Sequence, residues 1–383
     1  MSCCFPRRGQ NRPRRFRSGL LAILAFAGLT SAGSPASWAA ATPAAEPQLV
    51  FLDNDFAGPG GSDIQSLLPL INRPDVKLLG LGVVTGDGWR AEESAHLRRF
   101  LELSHQTAIP VYLGAEQPLL RTQSEMRSWE QRYGRLLWKG AWSAKRHGTE
   151  HADQPELIPP MPEGQPALLP ASETAMAAMI RLVRAHPHQV TIIAAGPMTD
   201  LALAIRQAPD LPVLARQLVF MGALLDTAMP QLAAEAAHGI DYYTDFNMIF
   251  DPEAAHIVLT SPWAKITVLG TVTLTAVTDK ALLQRVASQG TAIGAYVARY
   301  AEPGTPFWDE MASAVAVEPG LVTKEVVAAM DIDIAPGPDY GRAHVWPVNL
   351  APHQGEQPVH IVEAVDIGRF LDGFVTDTGR GPR

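Results

Sequence analysis

Asp53, Asp55 and Asp63 are the residues whose type and spacing most directly suggest chemistry. They lie in the run Leu49-Val50-Phe51-Leu52-Asp53-Asn54-Asp55-Phe56-Ala57-Gly58-Pro59-Gly60-Gly61-Ser62-Asp63. A short apolar stretch reads as a buried strand. It ends in two alternating carboxylates, then a Gly/Pro-rich turn, then a third carboxylate opening an apolar helix, Ile64 to Ile71. Loops at the carboxyl ends of strands are where α/β sheets bind ligands. Three carboxylates gathered there repel one another unless something positive lies between them, and Ca²⁺ favours a cage of carboxylate and carbonyl oxygens. The same pattern is also ordinary structural punctuation, a strand end followed by a Gly-rich turn and a capped helix.

Strand and helix patterns that would position these groups alternate along the chain. Val76–Val84 reads as a second buried strand running into Thr85-Gly86-Asp87-Gly88-Trp89, again a Gly-rich loop with a carboxylate. A helix from about Ala91 to Leu103 and a short strand, Ile109–Leu113, follow. Residues 116–172 break the rhythm with Trp129, Trp138, Trp142 and a Pro-rich run from Pro155 to Pro170. An excursion of that length is usually functional or mobile, so a lid, an oligomer contact or a plain surface insertion are its readings. The alternation resumes with a helix to about Arg184, a strand at Val190–Ala195, a helix at Leu201–Gln207 and a strand at Leu218–Met221. Later elements are a helix at Pro252–Leu259, a strand at Ile266–Leu269, and helices near Asp279–Ser288, Ile293–Ala301 and Phe307–Val317. Strands at Val326–Ile334 and His360–Ile367 and a helix at Gly368–Val375 close the chain. The expected fold is α/β, a single large doubly wound, mostly parallel sheet flanked by helices. With 383 residues, 47% of them hydrophobic, there is ample material for its core.

Residues 1–39 read as a signal peptide: six arginines between Arg7 and Arg17, an apolar core Leu20–Leu29 too short to span a bilayer, and small residues ending Ser37-Trp38-Ala39. The expectation is export, periplasmic or secreted, with residues 40–383 as one catalytic domain carrying the 116–172 insertion. Cys3 and Cys4 both fall in the lead, so the remaining chain has no thiol chemistry. Without the lead's six arginines, 25 Lys and Arg face 39 Asp and Glu, a net charge of about −14 in place of −8. Such an acidic chain is a poor nucleic-acid binder. No later apolar run is long enough to hold it in a membrane.

Several blocks in order resemble the nucleoside hydrolase family, the inosine–uridine-preferring N-ribohydrolases. They are the opening acidic loop, Ile109-Pro110-Val111-Tyr112-Leu113-Gly114-Ala115-Glu116, Ala195-Gly196-Pro197-Met198-Thr199-Asp200-Leu201-Ala202, Val219-Phe220-Met221-Gly222, Asp245-Phe246-Asn247 with Asp251-Pro252-Glu253-Ala254-Ala255, and Trp308-Asp309. The joint order favours this family over a second resemblance, to the Asp-x-Asp-x-Thr/Val start of haloacid-dehalogenase-like phosphatases. There Asp53 would accept a phosphoryl group, but Ala57 stands where that pattern has Thr or Val. The resemblance implies that Asp55, Asp63 and Asp309, with the Ala195 carbonyl, hold Ca²⁺, that Asp53 supports from beside the metal, and that Asp55 is the general base. It further implies that Asp245 and Asn247 hold the sugar hydroxyls.

The chain departs from the family pattern in places that bear on substrate. Ser62 stands where a family Asp grips the sugar's 2-hydroxyl, and a neutral hydroxyl there lacks charge assistance. Asp87 takes the place of an Asn near the sugar, Asp245 that of a Glu, and Trp308 that of a His serving some members as leaving-group acid. Trp308, with Trp89 and Tyr243, is expected either to stack on a flat leaving group or to pack the pocket wall. His238 precedes the Asp241–Asn247 block and is the one histidine expected near the pocket. His96, His105, His186, His188, His256 and His360 lack ligand spacing. The function implied is Ca²⁺-dependent hydrolysis of the N-glycosidic bond of a ribonucleoside or related ribosyl compound, by a homo-oligomer. The alternatives are a sugar- or nucleoside-binding protein without turnover, and a hydrolase of another glycoside on the same fold.

Overall fold

In a computed structural model of the chain, which describes residues 46–146, 149–223 and 245–381, the first apolar run forms strand β1 (Gln48–Asn54), buried from Val50 onward. The lead, His238 and Tyr243 lie outside the described residues. Continuous Val, Leu and Ile runs bury both faces of a strand, as parallel sheets require. They build β2 (Val76–Val83), β3 (Val111–Leu113), β6 (Val190–Ala194), β7 (Gln217–Met221) and β8 (Ile266–Leu269). Two short strands in the insertion, β4 (Lys145–Arg146) and β5 (Thr149–Glu150), pair only with each other. The late strands β9 (Val322–Ile332), β10 (Ala343–Trp346) and β11 (Gln357–Val365) complete the main sheet.

Among the described residues that sheet has nine strands in the order β10-β9-β11-β8-β7-β6-β1-β2-β3. The strands from β11 through to β3 pair in parallel, while β9 and β10 form an antiparallel edge. The chain leaves β1 toward β2 and β3, then returns to β1's other side with β6 and continues outward. A crevice therefore opens above the carboxyl ends of β1 and β6, the point where doubly wound sheets bind ligands. One apolar layer packs on each face of the sheet. No helix among the described residues is long and apolar enough to cross a membrane.

Two local expectations change. The helix after Asp63 covers only Ser62–Gln65 rather than reaching Ile71. Pro69 explains this, since it lacks an N–H and its ring clashes with the carbonyl four residues back, at Gln65. The 116–172 insertion is not structureless: it carries a helix, Gln123–Tyr133, started by a reciprocal cap between Thr122 and Glu125. That helix and the turn Gly140–Trp142 build a third apolar cluster in which Met126, Trp129 and Trp142 meet Trp89, Ile249 and Phe250. The Trp142 ring lies 4.4 Å from that of Phe250. Deeper in, His151 Nε2 lies 2.6 Å from Glu92, and His96 Nδ1 pairs with Glu163, all four side chains sealed from solvent. The insertion is thus docked on the body. Trp142→Ala is expected to lower the unfolding free energy by about 3–5 kcal/mol, read from the urea midpoint. A loss below about 1 kcal/mol would mean that the body does not depend on the insertion.

Candidate functional site

The carboxyl end of β1 delivers three polar side chains, and each goes a different way. Asp53 turns to Asp200, in the first turn of the helix Thr199–Gln207, and the two carboxyls are hydrogen-bonded. Burial first, then the Asp200 and Asp55 charges, hold Asp53 well above the usual carboxylate range. Asp200 is pushed up to about 6 by burial, against a 2.6 Å hydrogen bond from the Ala115 N–H. Two buried acids so placed share a proton rather than carry two charges.

Asn54, which sequence reasoning passed over, acts as a hub. Its amide nitrogen donates to Asp309 Oδ2 at 3.0 Å and to the Asp63 carbonyl at 3.3 Å, while its carbonyl oxygen accepts the Asp55 N–H at 3.0 Å. It thereby ties the Asp55–Asp63 loop to Asp309, 255 residues on from Asn54.

Asp55 is 2% exposed, and its Oδ2 accepts the backbone N–H of Asp87 at 2.8 Å. Glycine is required on both sides of it. A Cβ on Gly86 would fall 2.1 Å from Asp55 Oδ2, and one on Gly196 2.6 Å from Oδ1. Burial, and then the charges of Asp87 and Asp309, hold Asp55 well above its ordinary value. Asp63 is raised in the same way and shares a side-chain hydrogen bond with Asp309, which burial lifts to about 7. Asp309 lies in the first turn of the helix Trp308–Val317, where the helix dipole favours its charge. The structure thus brings the charges of Asp55, Asp63 and Asp309 within reach of one another. Among the described residues, however, no three His, Cys, Asp or Glu side chains stand ready-made around one metal position.

The remaining candidates divide. Asp87 acts electrostatically on Asp55, Asp63, Asp245 and Asp309, so it faces the same group. Asp245 is the N-cap of the helix Phe246–Phe250; burial raises it to about 6 even though the N–H groups of Ala223, Met248 and Asn247 stabilise its charge. Asn247 donates to the Ala195 carbonyl at 2.6 Å, engaging the oxygen expected to join the metal. Trp308 is half-buried.

Two expectations are corrected. The Ser62 hydroxyl is already engaged within the protein: it donates to Glu310 Oε2 at 2.5 Å and accepts the Asp309 N–H at 3.0 Å, joining two helix starts. Trp89 offers no stacking face either. It is 3% exposed, and its indole N–H donates to the His151 carbonyl at 2.9 Å, within the packing between loop and insertion.

The site can hold hard oxygen-binding species and can place a carboxylate base against a bound water. The family profile described as Inosine-uridine preferring nucleoside hydrolase matches residues 50–372. An uncharacterised Schizosaccharomyces pombe protein, C800.11, is 30% identical over 347 residues, 86% of this chain and 84% of its own. The inosine-uridine preferring nucleoside hydrolase of Crithidia fasciculata is 24% identical over 302 residues, 75% of this chain and 84% of its own. Among solved structures, the purine-preferring ribonucleoside hydrolase of Gardnerella vaginalis superposes with a TM-score of 0.68 at 22% identity, covering 87% of this chain and 98% of that one. These matches agree with the crevice between β1 and β6: the chain belongs to the inosine-uridine preferring nucleoside hydrolase family, hydrolases that act on N-glycosyl bonds.

Proposed function

We propose that the chain is a Ca²⁺-dependent ribonucleoside hydrolase in which Asp55 is the general base. The carrying observation is the environment of Asp55, a buried carboxylate held by the Asp87 N–H and flanked by the hydrogen-bonded Asp63–Asp309 pair. Two carboxylates in hydrogen-bond contact need a proton or a cation between them. The donors here are all hard oxygens, and the leading charges acting on Asp55 and Asp63 are other aspartates. That chemistry fits Ca²⁺. Asp55, Asp63 and Asp309 would hold it, joined by the Ala195 carbonyl once Asn247 turns its amide toward substrate. When bound, the ion would lower the pKa of a water and anchor sugar hydroxyls.

The chain's own residues do the rest. Asp55 accepts a proton from the attacking water as the water's oxygen bonds to the sugar's anomeric carbon; the carbon–nitrogen pair leaves with the base, which takes up a proton from solvent. The Asp87 N–H keeps the Asp55 carboxylate oriented for that transfer. With the Ser62 hydroxyl committed to Glu310 and Asp309, gripping the sugar falls to Asp87, Asp245 and Asn247. This division favours a ribosyl substrate outside the common nucleosides as the second reading. Export through residues 1–39 and assembly into a homo-oligomer remain part of the proposal.

Sugar release from a panel of ribonucleosides is expected to stop on chelation and return with Ca²⁺. Asp55→Asn should lower kcat by about 10³-fold. Turnover that ignores the chelator would sink the metal's role. Stability supplies an independent reading. Folded-state pKa values raised to about 7 for Asp309 and about 6 for Asp245 mean that the metal-free fold binds extra protons. Their contribution is complete below about pH 4 and is lost as the pH climbs to about 7. The metal-free Tm is therefore expected to be lower at pH 8 than at pH 5, and Ca²⁺ should raise it more at pH 8. Equal Ca²⁺-induced shifts at the two pH values would contradict the placement of the ion among these carboxylates.

A further inference from the structure

The insertion contributes one polar contact to the site that neither the family pattern nor the general base accounts for. Trp138 is 38% exposed, yet its indole N–H is committed, donating to Asp87 Oδ1 at 2.5 Å. Three residues on, the same strap grips the main chain of that loop: the Ala141 N–H donates to the Gly86 carbonyl at 2.8 Å. The approach is close enough to demand glycine at position 140, where φ is +51° and a Cβ would lie 2.1 Å from Gly86 O and 2.3 Å from Phe246 Cζ. Phe246 directly follows Asp245 and precedes Asn247. The strap 138–142 is therefore wedged between the loop that carries Asp87 and the segment that carries Asp245 and Asn247.

Electrostatics gives the wedge a purpose. Asp87 faces four other aspartates, each of whose pKa its charge raises. Those charges repel its carboxylate, so its position depends on the groups that hold it. A donor fixed on one oxygen sets which way the other oxygen points. We infer that Trp138 is a positioning residue: through its indole N–H it holds the Asp87 carboxylate in the sugar pocket, and the strap fixes the separation between Asp87 and the Asp245–Asn247 arm. The inference rests on the ribosyl-binding reading of the pocket given above, and it makes the insertion part of the substrate grip.

The test is a double-mutant cycle on Trp138 and Asp87. Trp138→Phe keeps an aromatic face and removes only the N–H. In the wild-type background it should lower kcat/KM about tenfold, chiefly through KM. In an Asp87→Ala background the same change should cost less than about twofold, because no acceptor remains. Equal losses in both backgrounds would show that Trp138 acts on its own, by packing or stacking, and would overturn the inference, as would a Trp138→Phe enzyme indistinguishable from wild type. Where Asp87→Ala is too slow to follow, the cycle is read on the dissociation constant for ribose. The contact itself is checked without turnover by ¹⁹F NMR of 5-fluorotryptophan-labelled protein, whose Trp138 resonance is assigned by its absence in Trp138→Phe. That resonance should move in Asp87→Ala, and a stationary signal overturns the contact. A wild-type chain that neither hydrolyses nor binds any ribosyl compound, with the resonance moving as expected, overturns the reading of the pocket while leaving the contact in place.

Discussion

Carboxylates buried within reach of one another are costly to desolvate and costlier to charge, and the rest of this molecule is arranged around that cost. Each acid is met by a different device. Asp53 and Asp200 share a proton, Asp245 is satisfied by the backbone of the helix it caps, and Asp55 takes an N–H from the next loop. Asp63 and Asp309 are left facing each other, with the Asn54 amide alongside. Neutral donors hold the negative groups in place without neutralising them. Carboxyls packed this closely hold protons unless a cation lies between them.

The sheet topology makes this concentration possible. Where the strand order reverses at β1 and β6, neighbouring loops diverge, and side chains from both can meet without crossing. Gly86 and Gly196 let two backbones close on Asp55. Ser62 and Glu310 join the helix that starts at Ser62 to the one carrying Asp309. The insertion packs beside these loops through its apolar cluster.

Much of this was legible in the sequence, for identifiable reasons. Continuous Val/Leu/Ile runs announce parallel strands wherever they occur, and the aspartates at the end of the first one mark the crevice. Pro69 was a readable stop to the helix after Asp63, and Thr122-x-x-Glu125 a readable helix start inside the insertion. What resisted were contacts between distant segments of chain. Strand alternation tells that Asn54 faces away from Asp53 and Asp55 but not that Asp309 waits there, 255 residues on. Nothing near Ser62 says that its hydroxyl will be spent on Glu310. Trp89 looked available because its loop is Gly-rich, whereas the burying partner, His151, belongs to the insertion. Strand β10 has only four residues and lies at the sheet edge, so its pattern carries little signal.

The span between Asn54 and Asp309 also bears on the order in which the molecule comes together. Closing a loop of that length is entropically expensive, and it is worthwhile only after the intervening strands have stacked. The acids of the crevice thus meet late, once the parallel sheet has assembled outward from β1 on both sides. The cation proposed for this site would have little to bind in the earlier, partly folded states. Its binding energy would fall almost wholly on the finished structure, where it would slow the way out more than it hastened the way in.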